Sequence, residues 1–159
     1  RIVVEIVERD AAAIIKKNEK LYIVDWNGEV FKELQKGDIV DLPLLTGFYE
    51  GDRLRGELLE EGLKLLKDLS MSGVFPGTVD VSEIIGDHVY GFTLVTDGRL
   101  LLELGFGNYK EKLGRLNLIA MNLVKRDSDG VFLKIDLTDI DRVVVSSVVV
   151  PPRRGLTNI

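Results

Sequence analysis

VDVSEIIGDHVYGFTLVTDGRLLLEL, residues 79–104, is the stretch that decides the fold class. Its apolar and β-branched residues fall into three runs, 79–85, 88–95 and 99–104, as is typical of consecutive short strands. Asp97-Gly98 lies between the last two runs, where a tight turn is expected. The stretch therefore predicts three antiparallel strands joined by hairpins.

The region before this stretch is also rich in strands. Residues 2–8, 11–16 and 21–25 are apolar runs of strand length. Asn27-Gly28 predicts a type I′ hairpin turn, because both central positions of that turn need positive φ. The return strand begins at Val30-Phe31.

Two segments show helical periodicity instead. Leu54, Leu58, Leu65 and Leu69 recur on one face of a helix that we expect Asp52 to cap and Gly73 to end. Asn108 followed three residues later by Glu111 has the form of a capping box. The apolar face of this second helix consists of Leu113, Leu116, Ala120 and Leu123, and the turn 127–130 ends the helix.

Strands at 131–137 and 142–150, separated by an acidic turn at 139–141, complete the chain, and Pro151-Pro152 ends the last strand. Strands grouped in blocks, with two separate helices, predict the α+β class. The expected architecture is a mostly antiparallel β-sheet with two amphipathic helices packed on it.

Composition excludes several classes of function. The net charge of −5 argues against a nucleic-acid partner, since phosphate binding needs clustered Lys and Arg. The absence of cysteine excludes disulfides, thiolate metal sites and a cysteine nucleophile. No apolar run reaches the length of a membrane-spanning helix, and the chain opens on strand-like sequence, which we interpret as a fragment that lacks its upstream part.

No motif nominates a catalytic, cofactor-binding or metal-binding residue. His88 is the only histidine, and its place in a predicted hairpin indicates a strand-edge residue rather than the base of a catalytic triad. The acidic run 127–130 lacks the ligand spacing of a calcium loop. Gly105-Phe106-Gly107 lacks the remaining residues of a phosphate-binding fingerprint and predicts a turn.

The final strand is unusual, because residues 143–150 read VVVSSVVV, without inward and outward alternation and without charge. One interpretation is an internal strand covered on both faces. The other is an edge strand whose free backbone groups accept a strand from another protein by β-augmentation. The pattern alone leaves both open.

The order of several short motifs resembles the FtsQ/DivIB family of bacterial cell-division proteins across nearly the whole chain. The most specific motif is Leu42-Pro43-Leu44-Leu45-Thr46-Gly47. The others are Glu8-Arg9, Tyr22-Ile23-Val24-Asp25, Gly28-Glu29-Val30-Phe31, Leu104-Gly105, Lys112-Leu113, Arg115-Leu116 and Ile135-Asp136-Leu137.

This resemblance implies a single-pass inner-membrane protein with a membrane-proximal POTRA domain and a β-domain on the periplasmic side at the division septum. Residues 1–9 are then the last POTRA strand, 10–152 the β-domain and 153–159 a C-terminal tail. The resemblance implies a non-catalytic scaffold of the divisome that binds FtsB/FtsL-like partners by strand addition at its last strand. No cofactor, small-molecule substrate or nucleic acid is expected, and the transmembrane helix lies upstream of this chain.

Partner-binding residues are carried over by position. The family's Asp-Leu-Arg-aromatic stretch falls on 136–139, where the Arg and the aromatic residue are absent. We therefore expect the partner to contact the last strand and the second helix rather than an aromatic anchor. The expected contacts are Asp139, Ile140, Asp141, Arg142, Val143, Val144, Val145, Ser146, Ser147, Lys112, Arg115 and Leu116.

Two other functions compete with this one. A POTRA-linked secretion or outer-membrane assembly module is expected to bind polypeptide clients rather than a fixed partner. An enzyme acting on cell-wall glycan needs an acid-base pair, and the sequence does not show which carboxylates meet.

Overall fold

The computed structural model describes residues 9–72, 80–123 and 131–149, with Ser72, residues 117–123 and Val131 described by their backbone alone. Strands and two helices alternate in blocks along these ranges. The elements are β1 (Ala11–Lys17), β2 (Lys20–Asp25), β3 (Val30–Glu33), β4 (Leu44–Thr46), β5 (Tyr49–Glu50), β6 (Arg53–Leu54), α1 (Gly56–Ser72), β7 (Val81–Asp87), β8 (Gly91–Thr96), β9 (Leu100–Gly105), α2 (Tyr109–Leu123), β10 (Val131–Asp136) and β11 (Val144–Val149).

Within the described ranges, nine strands form one sheet in the order β11-β10-β9-β8-β7-β4-β1-β2-β3, and β5 and β6 form a separate small hairpin. The predicted antiparallel meander is confirmed as β7, β8 and β9. Most neighbouring strands are antiparallel, but β4 is parallel to both β1 and β7, and β9 is parallel to β10. The predicted α+β class with a mostly antiparallel sheet is therefore confirmed.

The short strand β4 joins the two halves of the sheet, and the motif around it explains why. Leu45 is fully buried, and the Thr46 hydroxyl donates a hydrogen bond to Glu83 of β7 at 2.7 Å. Gly47 has a φ of +85°, and a Cβ there would lie 2.0 Å from the carbonyl oxygen of Gly86. Only glycine permits this approach of two backbones, so Gly47 is a requirement of the strand junction.

One hydrophobic core lies between the helices and one face of the large sheet. Helix α1 contributes six buried leucines to it, and α2 contributes Leu113 and Leu116. The phenol of Tyr109 donates a 2.6 Å hydrogen bond to Glu61, so the two helices also contact each other directly. Side chains on the opposite face of the sheet, such as Thr93, Leu101 and Glu103, are only half-buried.

The start of the first helix differs from the sequence prediction. Asp52 does not cap α1; it lies in the turn of the β5–β6 hairpin and forms an ion pair with Lys17 at 3.0 Å. Leu54 belongs to β6, and the helix begins only at Gly56. The leucine period at 54 and 58 arises because a two-residue strand runs almost directly into the helix.

A predicted hairpin turn and a predicted helix cap also have a different geometry. Gly28 has positive φ but Asn27 does not, so the β2–β3 connection is not a type I′ turn. The carboxylate of Asp25 holds this longer loop by accepting the N–H groups of Asn27 and Glu29, each at 2.9 Å. Asn108 precedes α2 as expected, but its φ of 53° is unlike the extended backbone of an ordinary N-cap.

Several predictions fall outside the described residues. These are the strand at 2–8, the helix end at Gly73, the turn at 127–130 and the segment 151–159.

Candidate partner-binding edge

β11 lies at one edge of the nine-stranded sheet, and among the described strands it pairs with β10 alone. The pairing is antiparallel, with Val144 opposite Asp136, Val145 opposite Ile135 and Val149 opposite Val131. Of the two interpretations of the valine-rich strand, the internal one is therefore wrong for the described part of the chain.

The backbone hydrogen bonds of β10 show which groups of β11 point away from the sheet. Leu133 and Leu137 donate their N–H groups to carbonyl oxygens on the β9 side, at 3.0 and 2.8 Å. Backbone groups alternate in direction along a strand. The N–H and C=O groups of Phe132, Lys134 and Asp136 therefore point toward β11.

The β11 residues that lie opposite Phe132, Lys134 and Asp136 must therefore direct their own N–H and C=O groups toward β10. These residues are Val144, Ser146 and Val148. The N–H and C=O groups of Val145, Ser147 and Val149 consequently face outward. This is the row of groups that an added strand requires.

The side chains of β11 leave both of its faces open. Val144 and Val145, which project to opposite faces, are each 42% exposed, and Val149 is 76% exposed. Ser146 and Ser147 are exposed as well. The helical layer therefore does not cover β11.

A short acidic corner leads from β10 into β11. The Asp136 carboxylate accepts hydrogen bonds from the Thr138 hydroxyl at 2.6 Å and from the Thr138 N–H at 2.9 Å. These two bonds, the hydroxyl first, lower the pKa of Asp136. Asp139 accepts the N–H of Asp141 at 2.9 Å in the same way, and Asp139, Asp141 and Arg142 are exposed while Ile140 is half-buried.

Val143 connects this corner to the core. It is half-buried and packs against the buried cluster, although it precedes the first residue of β11. The start of the strand is therefore anchored, and the exposed part begins at Val144.

The residues predicted on α2 separate into two groups. Lys112 is only 3% exposed, and its ammonium donates to the carbonyl oxygens of Leu104 and Phe106 at 2.6 and 3.0 Å. Burial lowers its pKa. Leu116 is fully buried. Neither Lys112 nor Leu116 therefore belongs to the exposed surface. Lys112 holds the β9–α2 loop, and Leu116 packs in the core. Arg115 remains accessible and pairs with Glu111 one turn away.

The opposite edge of the sheet, β3, has a different chemistry. Lys32 and Glu33 lie on this four-residue strand and form ion pairs with Asp38 and Lys20 at 3.0 and 2.9 Å. Charged side chains on an edge strand hinder pairing with another chain. Of the two edges of the large sheet as the structure describes it, β11 is the uncharged one, and its last two residues, Val148 and Val149, were not among the predicted contacts.

The described residues contain no group of three His, Cys, Asp or Glu side chains arranged to hold a metal ion. His88 lies in the β7–β8 turn. A cleft between the helices is lined by Glu61, Lys64, Asp68, Tyr109 and Lys110. Burial and the hydrogen bond to Glu61 raise the pKa of Tyr109, which opposes its use as a base.

The fold thus defines a mixed sheet with one helical layer and one open, uncharged edge. Residues 13–138 match the family model described as cell division protein FtsQ/DivIB, C-terminal. The chain belongs to the FtsQ/DivIB family. The matched range ends before β11, so the family assignment does not depend on the valine-rich edge.

Relatives from several bacteria agree with this assignment. The chain is 38% identical over 150 residues to a cell division protein FtsQ from Geotalea daltonii, covering 91% of this chain and 53% of that protein. It is 38% identical over 134 residues to FtsQ from a Geobacter species, covering 80% and 48%. For FtsQ from Syntrophotalea carbinolica the identity is 32% over 151 residues, covering 91% and 52%.

The chain spans about half the length of these relatives. Neither α1 nor α2, as far as the structure describes them, is long and apolar enough to cross a membrane.

Proposed function

We propose that this chain is the β-domain of a non-catalytic divisome scaffold, which binds an FtsB/FtsL-like division protein by strand addition to β11. The observation that carries the proposal is the outward row of backbone groups at Val145, Ser147 and Val149 on an uncharged edge. Main-chain hydrogen bonds supply affinity in this mode of recognition, and neighbouring side chains supply specificity.

In this proposal the added strand contacts valine side chains on both faces of β11. Val144 and Val148 lie on the open face of the sheet, and Val145 and Val149 lie on the helical face. Their exposed surface supplies apolar contact, which contributes about 25 cal/mol per Å² buried.

The charged residues near the edge play a smaller part. Arg142 at the corner and Arg115 on α2 are accessible cations for acidic groups of the partner. Exposed ion pairs contribute only about 0–1 kcal/mol each, so they orient the partner rather than hold it.

The proposal also places the chain within a longer protein. Residues 10–152 form the β-domain on the periplasmic side of the inner membrane, residues 1–9 end a POTRA domain, and 153–159 form a tail. A transmembrane helix upstream of both domains anchors them at the division septum. The family resemblance and the half-length match to FtsQ proteins support this arrangement.

The experiment compares two substitutions at one position. Val145→Pro removes an N–H that points away from β10, so the domain should fold, while Val145→Ala shortens the same side chain and keeps that N–H. The periplasmic segment of the FtsB homologue from the same genome is titrated into each variant. We expect Val145→Pro to weaken binding at least about tenfold relative to Val145→Ala, about 1.4 kcal/mol.

Circular dichroism melts provide the folding control. A folded Val145→Pro variant that binds the FtsB segment as tightly as Val145→Ala contradicts strand addition at this edge. Ser146→Pro, which removes a donor to β10, should instead lower the melting temperature and so verifies the assigned direction of the backbone groups.

A further inference from the structure

The uncharged edge is compatible with a second copy of itself. Residues 144–149 consist of valine and serine only, without charge or proline. When two identical strands pair about a two-fold axis, each charged residue near the axis meets a like charge, which is destabilising. β11 has no such residue, so nothing in its side chains opposes pairing with its own copy.

The direction of the backbone groups restricts how two copies pair. In an antiparallel pair of strands, the N–H and C=O groups of two directly opposite residues either both point toward the other strand or both point away from it. A two-fold axis must therefore pass between a residue and its own copy. Centring the axis on Ser147 places Val145 opposite Val149 of the second copy and Ser147 opposite itself. Each outward-facing residue of β11 then exchanges hydrogen bonds with a partner.

We infer that, besides its proposed partner, β11 binds the β11 of a second copy of this chain, in antiparallel register about Ser147. The two large sheets then continue into one another across the axis. The same outward groups serve both interactions, so the copy and the added partner strand exclude each other; this exclusion rests on the proposed function.

The other edge limits the assembly to two copies. β3 carries Lys32 and Glu33 with their ion-pair partners, which hinder the addition of a further chain. A two-fold symmetric contact through β11 occupies the open edge of both copies. The assembly is therefore a closed dimer and does not extend into a fibre.

The contact is small, and this determines its behaviour. One strand pair falls short of the roughly 800 Å² per partner that is typical of a stable interface. Pairing is therefore reversible and depends on concentration. At a crowded division site, such pairing keeps the apolar edge covered until a partner strand displaces the second copy.

A single introduced cysteine tests the register, because the natural chain contains none. Ser147→Cys places a thiol opposite its own copy, at a Cα separation of about 5.5 Å, which suits a disulfide. Ser146→Cys is the matched control, since its copy is a diagonal neighbour at about 7–8 Å, too far for a relaxed disulfide. Both variants of the 159-residue chain are oxidised at equal concentration and the covalent dimer is quantified.

We expect Ser147→Cys to form the dimer at least about tenfold faster than Ser146→Cys, and Val145→Pro in the same chain to abolish the difference. Equal slow rates in the two cysteine variants, or a monomer in sedimentation at a few hundred micromolar, overturn the inference. Faster linkage through Ser146→Cys overturns the Ser147 register.

Adding the FtsB segment separates this inference from the proposed function. Slower linkage supports mutual exclusion at one edge. An unchanged rate of disulfide linkage with the segment bound shows that the partner binds elsewhere. This result contradicts the proposed partner site and supports self-pairing. Absence of linkage together with Val145→Pro-sensitive binding of the segment removes self-pairing and leaves the proposed function intact.

Discussion

Val145 lies directly opposite Ile135 in the pairing of the last two strands, yet Ile135 is fully buried and Val145 is 42% exposed. The two side chains project from the same face of the sheet, so the helical layer must end between them. The hydrophobic core stops at β10, and β11 extends beyond it as an exposed edge strand.

Alanine substitutions measure this boundary directly. Ile135→Ala removes buried methyl groups and should cost about 2–5 kcal/mol of unfolding free energy. Val145→Ala, outside the core, should cost less than about 1 kcal/mol. Urea denaturation gives both values, and comparable losses for the two variants contradict the placement of the core boundary.

Gly47 should not tolerate a side chain. Gly47→Ala adds a Cβ 2.0 Å from the Gly86 carbonyl oxygen at a φ of +85°, so β4 and β7 must move apart. Gly37→Ala is the matched control, because Gly37 has a φ of +99° but no atom within 4 Å of the added Cβ. We expect Gly37→Ala to cost about 1–2 kcal/mol from backbone strain and Gly47→Ala clearly more.

Thermal melts of both variants check this difference. A melting temperature for Gly47→Ala equal to that of Gly37→Ala contradicts the close approach of the two backbones at the β4–β7 junction.

Asp25 should be necessary for the β2–β3 hairpin. It is buried, accepts two backbone N–H groups of the loop and forms an ion pair with Arg9 at 3.3 Å. Asp25→Ala leaves these donors without a partner and should cost about 1–3 kcal/mol. Asp25→Asn keeps one acceptor oxygen and should lose less.

Hydrogen exchange at Asn27 and Glu29 provides the measurement. Faster exchange at these two amides in Asp25→Ala, without a change in the β7–β9 meander, is the expected result. Unchanged protection of both amides contradicts the role assigned to the carboxylate.

Asp136 should make stability depend on acid pH. Its pKa in the folded chain is lowered by the two Thr138 hydrogen bonds, with smaller contributions from Lys134 and Arg142. The ionised form is therefore favoured by folding. The stabilisation is fully present above the unfolded pKa, near 3.9, and is lost as the pH falls through the lower folded value.

Asp136→Asn should consequently reduce stability at pH 7 and reduce it less at pH 2. Thr138→Val, which removes the hydroxyl donor and keeps the N–H, should give part of the same effect. Urea midpoints across this pH range check it, and a stability difference that does not change with pH excludes Asp136 as the titrating group.

Local features were predictable from sequence because their causes lie within a few residues. Alternating apolar residues and turn signals identified the β7–β9 meander, and the leucine period identified most of α1. The same local reasoning was wrong at Asp52, because a two-residue hairpin strand precedes the helix there and the periodicity does not distinguish the two.

The candidate site was predictable only in part. The absence of charge in 143–150 singled out the final strand, but it did not decide between an internal strand and an edge strand. Lys112 and Leu116 were expected to contact a partner, yet the structure buries both. The apolar period already placed Leu116 on the core side of α2, whereas the burial of Lys112 depends on how the helix packs against distant segments.

The sequence by itself determined the class of the fold, the positions of most strands and the lack of charge along the last strand, since each depends on residue type and short spacing. Only the tertiary structure decided that β4 lies between β1 and β7, that β11 has a single neighbour among the described strands, and that Val145, Ser147 and Val149 point outward. The physical reason is that strand order and backbone direction are set by hydrogen bonds between segments far apart in the chain, which no local pattern encodes.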